Sequence, residues 1–177
     1  MWMLVTMTSI ESIPAPAEAG RPAIDSLLMK TTCAFCAIVS GESPAEVVYE
    51  DEQTVAFLDY KPLLPGHVLV VPRAHVLTLA DLPDALVAPF FGTVRRMARA
   101  VEAGMAAEGS FVAINNKISQ SVPHLHAHAV PRWKGDGLFS TKLIWKRTPY
   151  ESEAARQAAR DKIRRAVEAL AKLEQAG

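Results

Sequence analysis

Between Asp81 and Gly104 apolar residues recur at three- and four-residue intervals: Leu82, Leu86, Val87, Phe90, Phe91, Val94, Met97, Ala98 and Val101, with Arg95, Arg96 and Arg99 off that face. This is the period of an amphipathic helix, and so wide an apolar stripe needs an apolar surface to lie on. That surface is encoded on both sides of it. Upstream, Val47–Tyr49 and Thr54–Asp59 are β-rich runs separated by the polar Glu50–Gln53, a hairpin pattern. Pro65-Gly66 turns the chain into His67–Val71, an almost unbroken apolar run ended by Pro72, which predicts a central buried strand. Downstream, Gly104 and Gly109 weaken the helix end, and Ser110–Asn115 and residues 124–130 read as two strands joined by a polar loop, a hairpin that brings Asn115 close to the second strand. From Glu151 to Gln175 the residues Ala155, Ala159, Ile163, Val167, Leu170 and Leu173 return to helical spacing. Strands, helix, strands, helix with short links predict an α+β domain: an antiparallel sheet of about five strands with one long helix and a C-terminal helix.

Residues 6–25 mix Ser, Pro, Ala and Glu without period, so residues 1–26 are expected to be a flexible leader and residues 27–177 the folded domain with its C-terminal helical extension. Lysine plus arginine equals aspartate plus glutamate at 19 each. No net field therefore draws nucleic acid or an anionic membrane, and any bound anion needs local groups. The opening "MWMLV" is too short and lacks a basic flank, and no apolar run reaches the roughly 18 residues of a membrane span. The two cysteines, Cys33 and Cys36, are too close together to staple a chain of this size, which points to a reduced, cytoplasmic setting.

Three of the five histidines, His124, His126 and His128, stand at alternate positions in "PHLHAHAV". In a strand they share one face, while Leu125, Ala127 and Ala129 share the other. A merely wet strand face would use Thr, Lys or Glu. Two chemistries remain for the row. Alternating imidazoles can present nitrogens to zinc, or one imidazole can attack phosphorus while its neighbours hold the oxyanion. Spacing does not separate the two. Nor does Cys33-x-x-Cys36 alone distinguish half a zinc site from a redox pair or two small buried residues.

The row matches the His-x-His-x-His-x-x signature, apolar at every x, and through it the chain resembles the histidine triad (HIT) family. The likeness extends over "CAFCAIVSGESPAEVVYEDEQTVAFLDYKPLLPGHVLVVPRAHV" and "QSVPHLHAHAVPR", roughly residues 33–134. It implies a hydrolase or transferase acting at the α-phosphorus of nucleoside 5′-phosphoryl compounds, with a purine nucleotide substrate and no organic cofactor; the alternative is a nucleotide-binding protein without turnover. By resemblance His126 is the nucleophile and His128 contacts the phosphate oxygens. Ser121 stands near the leaving-group atom, and Gln120 bonds along the phosphate chain. Asp59 matches the acceptor for the ribose hydroxyls, and Asn115 the phosphate-contacting asparagine, a role open to Asn116 as well. A subset of the family completes a structural Cys₂His₂ zinc site, here Cys33, Cys36, His75 and His124. His67, on the buried strand, is expected to be a satisfied core histidine, with a ribose or base-side contact as the alternative. The long tail around Trp145 is reminiscent of the Fhit-like branch, which cleaves dinucleoside polyphosphates to release AMP, whereas Ser121 is more like the Hint-like phosphoramidases. Family members pair through the long helix and an adjoining strand, which implies a homodimer.

Overall fold

The computed structural model describes residues 33–139 and 147–176. The leader 1–26, the expected start of the domain at Leu27 and the region of Trp145 lie outside them. The elements in chain order are α1 (Ala34–Val39), β1 (Val47–Glu50), β2 (Thr54–Leu58), β3 (Val68–Pro72), a 3₁₀ turn (Leu79–Asp81), α2 (Asp84–Met105), β4 (Gly109–Ile114), β5 (Ala127–Arg132) and α3 (Glu153–Ala176). All five strands form one antiparallel sheet in the order β1-β2-β3-β5-β4.

Period-two alternation sorts this sheet onto two layers. One face gives Val48, Ala56, Leu58, Val68, Val70, Ala127 and Ala129 to the main core, where Phe90, Val94, Met97 and Val101 of α2 pack. α3 adds Ala159, Ile163 and Val167 to the same layer. The other face gives Val55, Phe57, Leu69 and Val71 to a smaller cluster covered by Cys33 and Phe35 of the short α1 segment. Helices thus cover one side fully and the other only in part. The part left open is where the histidines stand.

Local chemistry sets the joints. Asp51 Oδ1 accepts the Gln53 and Thr54 amides at 2.9 and 2.7 Å, which closes the β1–β2 turn. Thr78 and Asp81 form a reciprocal cap, with the Thr78 amide and hydroxyl donating to Asp81 Oδ2 at 3.0 and 2.6 Å. They cap the 3₁₀ turn rather than the long helix, which starts only after Pro83, three residues later than its apolar period implied. The expected strand 124–130 is also displaced, to Ala127–Arg132. Pro123 has no amide to donate, the His124 amide turns back to the Val122 carbonyl, and the Leu125 amide goes to the Val76 carbonyl, so His124–His126 are held outside the ladder. The alternation survives nevertheless, since Leu125, Ala127 and Ala129 are fully buried in the main core.

Candidate active site

His128 enters from β5, opposite Leu69 of β3, and His126 stands just before the same strand. Their rings are 5.0 Å apart between centroids. The hydrogen bonds fix which nitrogen of each ring carries the proton. His126 Nδ1 lies 2.7 Å from the His124 carbonyl oxygen, an acceptor only, so this nitrogen is the donor and Nε2 keeps its lone pair. The Leu63 amide points at His67 Nδ1 at 3.2 Å, which makes that nitrogen an acceptor and leaves the proton on Nε2. His67 Nε2 then donates to His128 Nδ1 at 3.0 Å, which leaves the His128 proton on Nε2; the Asn115 amide stands 3.5 Å from that nitrogen and accepts its hydrogen bond when turned to present its oxygen. Asp59 Oδ2 also approaches His67 Nδ1, at 3.3 Å, but it is ion-paired with Arg147 at 3.0 Å, and the Leu63 amide hydrogen occupies the nitrogen. The site therefore holds one imidazole with a bare nitrogen beside one with an N–H.

Burial keeps these rings neutral. It is the main cause that lowers His126, where the His124 carbonyl and Asp59 pull the other way. Burial, then the neighbouring His126 and Arg147, pushes His128 down to about 4. His67, fully enclosed, lies well below the ordinary imidazole range, first by burial and then through His128, Arg147 and His126. Asp59, His67 and His128 are close enough together to hold a cation. Both nitrogens of His67 and Nδ1 of His128 are already in hydrogen bonds, which makes this group a proton-ordering chain instead.

His124 is directed toward the thiols. Its Nε2 donates to the Pro72 carbonyl at 2.9 Å, so its Nδ1 lone pair is directed at Cys33 Sγ and Cys36 Sγ, 3.5 and 3.6 Å away. His75 Nδ1 lies 3.2 Å from Cys36 Sγ, and the four ligand atoms all fall within 4.8 Å of one another. A tetrahedron with Zn–S near 2.3 Å and Zn–N near 2.0–2.1 Å has S···N edges of about 3.6 Å, so the residues present fit zinc. Both cysteines are free thiols. The Phe35 ring separates this cluster from the pair His126 and His128, edge-on to His124 at 6.0 Å and to His126 at 5.2 Å.

Two connected clefts open on the pair. A larger one of about 550 Å³ has an apolar wall of Phe35, Ile38, Phe57, Leu69 and Val122 and reaches Asp59. A smaller one of about 350 Å³ is bordered by Asn115, Ser119 and His67. Ser121, His126, His128 and Arg147 line both. Asn115 is thus at the site, whereas Asn116 is engaged elsewhere, its Oδ1 accepting the Leu79 amide at 2.8 Å. Gln120 does not line either cleft: its Nε2 donates to the Leu77 carbonyl at 2.6 Å and its Oε1 accepts the Lys117 amide at 2.8 Å. Two residues that line the clefts carry more than the sequence assigned to them. His67 is more than core, because it orders the His128 tautomer, and only the β3–β5 register reveals that. Arg147 lies far beyond the triad in sequence and carried no pattern.

An α+β domain with two imidazoles at a cleft beside its antiparallel sheet and a Cys₂His₂ cluster next to them defines a class. The HIT domain model matches residues 40–135. The chain belongs to the HIT family. It is 37% identical over 133 residues to an uncharacterised HIT-like protein of Mycobacterium tuberculosis, covering 74% of this chain and 92% of the other. An adenylylsulfatase of Arabidopsis thaliana is 31% identical over 129 residues, 72% of this chain and 66% of the relative. Among solved structures, a Zn-bound histidine triad family protein from Mycobacterium smegmatis matches with TM-score 0.68 and 38% identity, covering 84% of this chain and 99% of that one.

Proposed function

We propose that the chain hydrolyses nucleoside 5′-phosphoryl compounds at the α-phosphorus through a covalent nucleotidyl-histidine. The observation that carries this reading is the 2.7 Å bond from His126 Nδ1 to the His124 carbonyl, which leaves Nε2 as a bare nucleophile at the cleft. Nε2 attacks phosphorus, the bond to the leaving group breaks, and the leaving group departs with the electron pair. Water then attacks phosphorus, the P–Nε2 bond breaks with its electron pair returning to Nε2, and a proton of the water passes to solvent, which releases the monophosphate and neutral His126. His128 Nε2–H and Asn115 are the donors for the non-bridging oxygens, and the Ser121 hydroxyl donates a hydrogen bond to the leaving atom. The apolar wall accepts the base, and Asp59 accepts the ribose hydroxyls, for which a purine ribonucleotide has the right size. Gln120 acts by fixing the loop that carries Ser121.

Dinucleoside polyphosphates releasing AMP are the substrates we favour, with phosphoramidates as the second reading because Ser121 resembles that branch. Cys33, Cys36, His75 and His124 bind one zinc, which closes the α1 segment onto the sheet and takes no part in the chemistry. The working form is a homodimer in a reducing, cytoplasm-like compartment. The test is product analysis with diadenosine triphosphate, diadenosine tetraphosphate and adenosine 5′-phosphoramidate side by side, with mass analysis of quenched protein. AMP release together with an adenylyl group on His126 is expected. No AMP from any of the three and no adduct would reject the hydrolase.

A further inference from the structure

Arg147 is the one lysine or arginine, among the described residues, that lines the phosphate side of the site with Asn115, Ser119, Ser121, His126 and His128. It also lines the nucleoside cleft, where it meets Asp59. Its place is fixed by the backbone around it. The Thr148 amide donates to the Pro62 carbonyl at 2.8 Å, and the Tyr150 hydroxyl accepts the Gly66 amide at 3.0 Å, so residues 147–150 run beside the loop that carries Asp59 into β3. The described contacts of its guanidinium pass through Nη1, to Asp59 Oδ2 and the Lys61 carbonyl, and the side chain remains 45% exposed. Other cations near the cleft are engaged differently: Arg156, for example, is held by Glu46 and Glu153. The Arg147 charge already acts on the reacting groups, since after burial and His126 it is a further cause that lowers His128.

We propose that Arg147 is the residue that selects substrates with an anionic leaving group, by holding a departing sulfate or phosphate chain against its guanidinium. This rests on the hydrolase reading above and deepens it. When sulfate or a nucleoside polyphosphate departs, it takes the electron pair of the broken bond and gains negative charge, and a planar guanidinium meets such oxyanions with two parallel donors. An amine leaving group develops no such charge and needs a proton instead. The competing account is that Arg147 only orients Asp59 for the ribose. That account predicts equal damage to every adenylate substrate.

The experiment compares Arg147→Gln and Arg147→Lys with the unaltered chain on adenylyl sulfate and on adenosine 5′-phosphoramidate, which yield the same AMP. Both values of kcat/KM are expected to fall in Arg147→Gln, but the sulfate-to-phosphoramidate ratio should drop at least about tenfold, with partial recovery in Arg147→Lys. A ratio unchanged within about threefold would overturn the proposal. A second arm needs no turnover. In the His126→Asn background, calorimetry should find ADP, whose β-phosphate occupies the leaving-group side, bound at least about tenfold more tightly than AMP, and adding Arg147→Gln should erase that difference. An ADP-to-AMP ratio indifferent to Arg147 would overturn the proposal too. If the unaltered chain released AMP from neither of these substrates nor from the diadenosine polyphosphates, the hydrolase reading would fall by itself, while this binding comparison would still decide the role of Arg147.

Discussion

At the scale of the residue, the site is a set of fixed tautomers. Three carbonyl or amide partners, from His124, Pro72 and Leu63, decide which nitrogens of His126, His124 and His67 carry protons, and His67 decides it for His128. His126→Asn keeps a side chain able to donate to the His124 carbonyl but has no nucleophile, so turnover should fall at least about 10³-fold, with nucleotide binding retained and no labelled protein. Single-turnover assays with mass analysis decide it, and turnover near the original rate would remove His126 from the mechanism. The same neutral rings tie stability to pH. In the unfolded chain their pKa is about 6.5, whereas His128 is down to about 4 when folded and His67 lies well below its ordinary range. Between these values the unfolded state binds protons that the folded state does not, so their contribution to stability is fully present above about pH 6.5 and is lost as pH falls toward 4. Urea midpoints should be flat from pH 8 to 7 and decline from 6.5 to 4.5. His128→Asn should make that decline shallower, and an equal slope in the variant would show that other groups cause it.

At the scale of the element, two joints hold the layers, and each has its own test. The α1 segment reaches the sheet mainly through Phe35 and the Cys₂His₂ cluster, so zinc removal should loosen it more than it touches the chemistry. One zinc per chain is expected by elemental analysis, and Cys33→Ser should lower the melting temperature by more than about 5 °C while turnover per folded molecule changes little. Metal-free protein with both thiols reactive in the native state would refute this. On the other face, α2 and α3 touch at Gly104, where an added Cβ would come within 2.9 Å of Ile163 Cα and the Lys162 carbonyl. Both are backbone atoms that cannot turn aside, so Gly104→Ala should cost about 1–3 kcal/mol in denaturant unfolding. The sequence disclosed most of these elements, because a two-residue period and a 3.6-residue period are local properties. It also disclosed the reacting row, because imidazoles at alternate positions have few uses. The start of β5 was not legible, since it depends on the Leu125 amide finding Val76, and neither was His67 beside His128, which needs the strand register. Arg147 was hidden for the same reason: its neighbours lie more than 80 positions away, at Asp59 and Lys61.

At the scale of the whole molecule, the open question for the fold is what covers its second sheet edge. Among the described residues the order β1-β2-β3-β5-β4 leaves two edges, and α3 packs across β1. β4 is the other edge, six residues long, and its Val112 is 42% exposed. α2, which packs against β4, carries Val87 and Phe91 exposed to 39% and 40%, on positions that its own core face leaves over. A regular edge strand beside apolar side chains is a template for another strand, and soluble proteins either block such an edge or pair it. A two-fold copy would pair it, joining β4 to β4 in one continuous sheet and covering α2 with the same surface. Sedimentation of the full chain at about 10 µM should return twice the chain mass. Val112→Lys with Phe91→Glu places charge on the edge and on the helix, and should shift the mass to that of one chain while leaving the far-ultraviolet circular dichroism of the fold intact. An unaltered chain that sediments as a monomer at that concentration would reject the paired edge.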